Sequence, residues 1–263
     1  MTTDPTPHAD VNAVLRCLLR EMRGVLGAEF VGMYCYGSLS LGDFTPGSSD
    51  IDFLVVTEHE PLENMLHALD AMHTRIAASG LQWAEKLEGS YIPRAALRHD
   101  DPANNRHPTI GADWPFSIRA HGSHWVIERH IVREHGVRIW GPSPKTLIDP
   151  VTPDAIRAAV RDALDGFWRA QLDGPEPEWL RTRDYQAYAI LTMCRALYTL
   201  AHGTVVSKPA AAVWAQQTLP LPWPDLITQA LVWRYDTRPD AMTAMLAFIR
   251  YTIAQAESGI GGT

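Results

Sequence analysis

The distribution of apolar and polar residues along the chain predicts two regions of different secondary structure. In the first region, apolar residues recur at helical spacing from Val11 to Val25 and over residues 61–79. The runs FVGMYCY, DIDFLVV and LQWAEKLEGSYIP are typical of strands. The order helix, strand, loop, strand, helix, strand predicts a mixed α/β domain. Residues 94–114 are polar and rich in Pro, Asn and His, so we expect a long loop there.

The second region carries only helical patterns. After a predicted helix, HWVIERHIVREH, and a short strand, VRIW, four prolines from residue 142 to residue 153 mark a domain boundary. Helical spacing then recurs at 154–172, 184–202, 209–218, 224–235 and 239–257. We therefore expect an α+β protein with domains 1–150 and 151–263. The first would be a mixed β-sheet with flanking helices, and the second an all-α helical bundle.

Composition and charge narrow the classes of function. The 263 residues are 46% hydrophobic, with a formal net charge of −7 and a pI of about 5.8. The negative net charge disfavours an extended nucleic-acid-binding surface, and it tolerates or attracts a cationic small molecule. Three separated cysteines form no CxxC pair, and no apolar run approaches the ~20 residues of a membrane span. We expect a cytoplasmic protein without a membrane partner, as a monomer or weak oligomer.

One stretch, YGSLSLGDFTPGSSDIDFLVV, combines a glycine turn with carboxylates. Gly37 and Gly42 have the spacing of a phosphate-binding loop, but Asp43 stands where such a loop carries lysine. On a strand, Asp50 and Asp52 project onto one surface about 6.6 Å apart. Such a pair can share Mg²⁺, which prefers hard oxygen ligands and completes its shell with substrate phosphates. A bare D-x-D more often marks the polar face of an edge strand; the preceding glycine turn favours the metal site.

The order of strand, glycine–serine turn and D-x-D strand resembles the signature of the nucleotidyltransferase superfamily typified by DNA polymerase beta. The segments LEGSYIP, REHGVRIWGP and RALYTLAHGTVVSKPAAAVWA further resemble the aminoglycoside adenylyltransferases that modify streptomycin and spectinomycin. The resemblance covers most of the chain. In those enzymes, ATP and an aminoglycoside meet in the cleft between the two domains, and AMP passes to a hydroxyl group with release of pyrophosphate.

The resemblance implies a role for seven residues. Asp50 and Asp52 would bind the metal, Gly37, Ser38, Ser49 and Lys208 would bind the nucleotide, and Glu88 would be the catalytic base. Glu85 competes with Glu88, since the two differ in strand parity and only one can face the aspartates. The structural alternatives are that Glu88 pairs with Lys86 on the surface and that Lys208 is a solvated residue at a helix start.

The acceptor site is less fully specified. Trp179 and Asp184 fall in the region where the relatives bind the acceptor, although Trp179 is equally suited to helix packing. Tyr185 and Tyr188 stand where the drug-modifying enzymes are more polar. The expected partners are ATP with Mg²⁺ and a small polar, cationic acceptor. Open alternatives are transfer to a protein, an RNA end or a metabolite, and nucleotide sensing without turnover; the acidic charge argues against RNA.

Overall fold

The computed structural model describes residues 4–47, 49–112, 114–174, 178–233 and 241–259. The chain divides into two compact units, Met1–Pro150 and Val151–Thr263. No helix among the described residues is long and apolar enough to cross a membrane.

The first unit is built on a mixed six-stranded sheet. Its spatial order is β5-β4-β3-β2-β1-β6. Only the central pair, β2 with β3, is parallel among the described strand pairs, and the others are antiparallel. The strands are β1 (Phe30–Cys35), β2 (Ile51–Thr57), β3 (Leu87–Pro93), β4 (Arg106–Gly111), β5 (Trp114–Ala120) and β6 (Val137–Trp140).

One face of the sheet is covered by two amphipathic helices. Helices α1 (Ala9–Leu26) and α3 (Glu63–Ala77) bury the apolar stripes predicted from their sequences. Leu18 and Met72 lie in a single apolar cluster with Phe53 of β2. Burial of each such side chain contributes about 1.5–3 kcal/mol. Alternate residues of the central strands are therefore committed to this core, and the intervening ones face the other side.

Three shorter helices complete the unit, α2 (Gly37–Leu41), α4 (Arg94–Leu97) and α5 (His124–His135). Of these, α5 lies on the opposite face of the sheet. Trp125 of α5 lies parallel to the His121 ring, with centroids 3.9 Å apart. His121 in turn contacts the Ser90 hydroxyl of β3 at 3.2 Å. A polar layer therefore separates α5 from the sheet on this side.

The described residues of the second unit form helices and connecting turns, without a strand. Its helices are α6 (Pro153–Ala163), α7 (Arg169–Asp173), α8 (Arg183–His202), α9 (Lys208–Thr218), α10 (Trp223–Leu231) and α11 (Met242–Glu257). A π-helical turn, Leu164–Trp168, joins α6 to α7. Gly203 ends α8 in the left-handed conformation that glycine adopts at low cost. The expected fold class, a mixed sheet with flanking helices followed by helices alone, is confirmed.

Two details of the expected first unit are wrong. The predicted strand LQWAEKLEGSYIP begins only at Leu87, because residues 84–86 form a 3-10 turn. The expected loop over residues 94–114 contains α4 and β4 and ends where β5 begins. Pro108 within β4 and the polar residues around it disguise the strand pattern, although β4 pairs with β3 on one side and β5 on the other. Tertiary pairing therefore overrides local propensity here.

Candidate active site

Asp52 and Glu88 lie side by side on the two parallel strands. They are register partners of β2 and β3, and both are half-buried. Adjacent strands are about 4.8 Å apart, so the two side chains leave the same face of the sheet at that spacing. Their neighbours Ile51 and Leu87 point into the apolar core on the opposite face. The strand period thus presents a pair of carboxylates at one edge of the polar face.

Asp50 precedes β2 by one residue and has the strand parity of Asp52. Its Oδ1 lies 3.4 Å from the Nζ of Lys86, and its side chain is 37% exposed. Lys86, a possible partner of Glu88 from the sequence, forms its ion pair with Asp50. A positive charge therefore already lies beside this carboxylate.

The glycine turn packs directly against Asp52. Gly37 begins α2 with φ of +60°, a conformation that side chains disfavour. A Cβ at this position would lie 2.7 Å from Asp52 Cγ. The amide of Tyr36 also donates a hydrogen bond to the Asp52 backbone carbonyl at 3.1 Å. Ser38 follows on the same turn and is half-buried. The turn and the D-x-D strand are thus joined at close range.

Ser49 closes the loop that leads into β2. Its hydroxyl oxygen accepts a hydrogen bond from the Thr45 amide at 3.0 Å, and its own amide donates to the Thr45 carbonyl at 3.1 Å. This reciprocal pair holds the chain just before Asp50. The predicted contact of Ser49 with a triphosphate stays a prediction.

The two candidate bases have different surroundings. Glu85 lies in the 3-10 turn before β3 and is exposed, so it does not share the face of Asp52. Glu88 Oε1 accepts a hydrogen bond from the Ala112 amide at 3.1 Å. Ala112 was missed in the sequence because it falls within the expected loop. A backbone donor in a turn leaves no mark on side-chain pattern.

A buried tyrosine lies among the carboxylates. Tyr36 is 8% exposed. Burial raises its pKa well above the usual value, and the negative charges of Glu128, Asp52 and Glu88 raise it further. Glu128 lies on α5, where the helical pattern predicted the element but not its neighbours. Four acidic or phenolic side chains therefore gather around one end of β2.

The described residues contain no group of three or more His, Cys, Asp or Glu side chains arranged to hold a metal ion. A metal at this end of β2 would thus depend on Asp50 and Asp52, with its other ligands supplied from outside the protein. Such a partly filled shell is typical of Mg²⁺ bound together with substrate phosphates.

The remaining candidate for nucleotide binding, Lys208, lies in the second unit. It is the first residue of α9, and Ser207 caps this helix by accepting a hydrogen bond from the Ala210 amide at 3.3 Å. The Lys208 ammonium lies 4.2 Å from the centroid of the Tyr188 ring. Such a contact is a cation–π interaction. Its side chain is therefore held at the helix start rather than fully solvated.

The two candidates for acceptor binding also lie in the second unit. Trp179 is half-buried, and its ring lies 6.1 Å from Phe167 and 5.4 Å from Tyr185 between centroids. Asp184 is exposed in the first turn of α8, where a negative charge is favourable to the helix dipole. Both residues thus have a structural role, which neither supports nor opposes acceptor binding.

Two regions of the chain match known domain families. Residues 19–92 match the nucleotidyltransferase domain, and residues 146–256 match the aminoglycoside adenylyltransferase C-terminal domain. An aminoglycoside (3'') (9) adenylyltransferase of Shigella flexneri is 25% identical, with 84% of each chain covered. A spectinomycin 9-adenylyltransferase of Campylobacter jejuni is 24% identical, with 78% of each covered.

A solved structure shares the fold. The crystal structure of a spectinomycin adenyltransferase from Enterococcus faecialis with ATP and spectinomycin superposes with a TM-score of 0.73. The match covers 93% of this chain and 98% of that one at 18% identity. This chain is therefore a homologue of the aminoglycoside adenylyltransferases, formed by a nucleotidyltransferase domain and the carboxy-terminal domain of that family.

Proposed function

We propose that the chain transfers AMP from Mg·ATP to a hydroxyl group of an aminoglycoside-like small molecule and releases pyrophosphate. The observation that carries this proposal is the register pairing of Asp52 with Glu88 beside the Gly37 turn. Transfer of a phosphoryl-type group depends mainly on positioning and charge neutralisation. A turn for phosphates, a carboxylate for metal and a carboxylate for a proton meet those needs.

The residues present fit Mg²⁺. Asp50 and Asp52 are hard oxygen donors at the end of one strand, and Lys86 beside Asp50 marks the position as one that attracts a cation. Mg²⁺ bound there would neutralise triphosphate charge and hold the α-phosphate toward the acceptor. The protein's own part is to keep the two carboxylates on one face, which the strand period does.

The nucleotide would be held by the backbone and hydroxyl groups of the first unit and by one lysine. The amides around Gly37 and the Ser38 hydroxyl can donate hydrogen bonds to phosphate oxygens. Ser49 would hold the loop in place and add a hydroxyl. Lys208 would contribute its ammonium to the phosphates, in exchange for its contact with Tyr188.

Glu88 would accept the proton of the attacking hydroxyl. A carboxylate next to Asp52 is within reach of a group that attacks a metal-bound phosphate, and general bases of this kind contribute about 10²- to 10⁴-fold in rate. Glu85, exposed on the 3-10 turn, is the weaker candidate.

The acceptor would bind through Trp179 and Asp184, one as a stacking surface and the other as a counter-charge for an amine. The relatives named above act, by their names, on aminoglycosides or spectinomycin. The aromatic residues around Trp179 favour an acceptor that presents a ring face as well as cationic groups. Aminoglycosides and spectinomycin are therefore the first acceptors to test.

The test is pyrophosphate release from Mg·ATP with streptomycin, spectinomycin and a panel of further aminoglycosides. We expect acceptor-dependent release that the Asp52→Asn variant abolishes while its unfolding free energy stays close to that of the wild type. Calorimetric titration with Mg·ATP gives the nucleotide affinity of both proteins. Activity retained in Asp52→Asn would refute the metal assignment. ATP binding without release across the panel would shift the acceptor from antibiotics to a metabolite or a protein.

A further inference from the structure

The turn that follows β4 lies beside the candidate base on the neighbouring strand β3. Gly111 and Trp114 are register partners at the end of this hairpin, and Ala112 follows Gly111. The Ala112 amide donates to Glu88 Oε1 at 3.1 Å. Hydrogen bonds from a backbone amide to a carboxylate are among the stronger ones in proteins.

Contacts of the residues on either side restrict the position of this amide. A Cβ on Gly111 would lie 2.8 Å from Trp114 Cδ2, so only glycine allows the indole to lie against the backbone here. The guanidinium of Arg119 lies 4.9 Å from the centroid of the Trp114 ring. The pairing of β4 with β5 also shifts register between Thr109 and Gly111. Such irregularities re-aim the backbone at the end of a strand.

We infer that the Ala112 amide is a positioning group that orients the Glu88 carboxylate for proton transfer. Glutamate has three rotatable side-chain bonds, and a half-buried glutamate on a strand samples several rotamers unless a partner selects one. A fixed donor on one carboxylate oxygen selects the direction of the whole group. The inference rests on the proposed role of Glu88 as the base and adds to it a second, backbone-borne requirement.

A double-mutant cycle tests the kinetic part. Ala112→Pro removes the N–H group, and the strand conformation of Gly111 is compatible with a following proline. We expect kcat to fall by about 10- to 100-fold, as for misplaced catalytic groups, with the KM for Mg·ATP unchanged. The control variant Ala112→Ser keeps the N–H group, and its kcat should lie within about twofold of the wild-type value. In the Glu88→Ala background, Ala112→Pro should change the residual rate by less than about twofold.

Equal slowing by Ala112→Pro in both backgrounds would overturn the inference, because the turn would then act independently of Glu88. An undiminished kcat in a folded Ala112→Pro protein would overturn it as well. Thermal unfolding of each variant establishes that the comparison is between folded proteins. Gly111→Ala, which displaces Trp114, offers a second route to the same loss should the proline variant not fold.

A measurement without any acceptor tests the contact itself. Hydrogen exchange of the Ala112 amide should be slow in the wild-type protein and at least about tenfold faster in Glu88→Ala, because its acceptor is gone. An amide equally protected in both proteins would overturn the inference even where transfer is active. Conversely, unchanged transfer by Glu88→Ala, with the amide deprotected, would disprove the role of Glu88 as base and with it the positioning role.

Discussion

At the scale of single residues, Gly37 is required for two separate reasons. Its φ of +60° belongs to the left-handed region, where a side chain costs about 1–2 kcal/mol. Its position against Asp52 leaves no room for a Cβ. Gly42, at the end of the same turn, has a φ of +76° and open space around it. A substitution at Gly42 therefore incurs only the free-energy cost of the backbone conformation, whereas one at Gly37 also incurs the cost of a steric clash with Asp52.

We predict that Gly42→Ala will destabilise the protein by about 1–2 kcal/mol, the cost of the backbone conformation alone. Gly37→Ala should destabilise it by more, because its methyl group also collides with Asp52. Only Gly37→Ala should also abolish transfer, because its methyl group displaces the Asp52 carboxylate. Urea unfolding gives the stability of each variant, and pyrophosphate release gives its activity. An active Gly37→Ala enzyme would show that the turn does not hold Asp52 in its working position.

At the scale of secondary-structure elements, the sequence predicts the helices and strands whose apolar residues recur regularly. It does not predict elements or contacts that depend on tertiary pairing. Strand β2 and the cluster of Asp50 with Asp52 follow from alternation and a glycine turn. Helix α5 has the predicted bounds. The β4–β5 hairpin has no alternation to reveal it, so the amide of Ala112 beside Glu88 was beyond prediction. Likewise, helical spacing predicted α5 without showing that Glu128 approaches Tyr36.

The packing of α3 on β3 buries a histidine among aromatic rings. His73 is 4% exposed, and its Nε2 lies 2.6 Å from the Tyr91 hydroxyl. Burial lowers the pKa of His73 to about 4. Burial likewise lowers the pKa of His107 to about 4 and that of His121 to about 2. In the unfolded chain, all three take up a proton near pH 6.5.

We predict that stability will fall as the pH drops from about 6.5 to about 4. In this window, the unfolded chain binds protons that the folded chain excludes, so the free energy of unfolding rises with pH. His73 alone should account for roughly 3 kcal/mol, at about 1.4 kcal/mol per pKa unit. Urea unfolding at several pH values measures the slope. The paired variant His73→Leu with Tyr91→Phe leaves no buried hydroxyl unpaired and should reduce that slope by up to one proton; an unchanged slope would contradict the assignment.

At the scale of the whole molecule, the net negative charge attracts one substrate and repels the other. The formal net charge is −7. A polycationic acceptor is attracted from a distance, whereas Mg·ATP, itself an anion, is repelled. These long-range effects operate over the Debye length, which falls from about 30 Å at 0.01 M salt to about 8 Å at 0.15 M. Salt therefore distinguishes the two substrates without any mutation.

We predict that raising the salt concentration across this range will lower kcat/KM for streptomycin severalfold while kcat changes little, because screening weakens capture rather than chemistry. The KM for Mg·ATP, measured at saturating acceptor, should stay constant or fall. Steady-state pyrophosphate release with each substrate varied in turn provides both values. Equal changes for the two substrates would indicate a general effect of salt on the enzyme. The absence of any change for streptomycin would mean that the protein's net charge does not assist the capture of the acceptor.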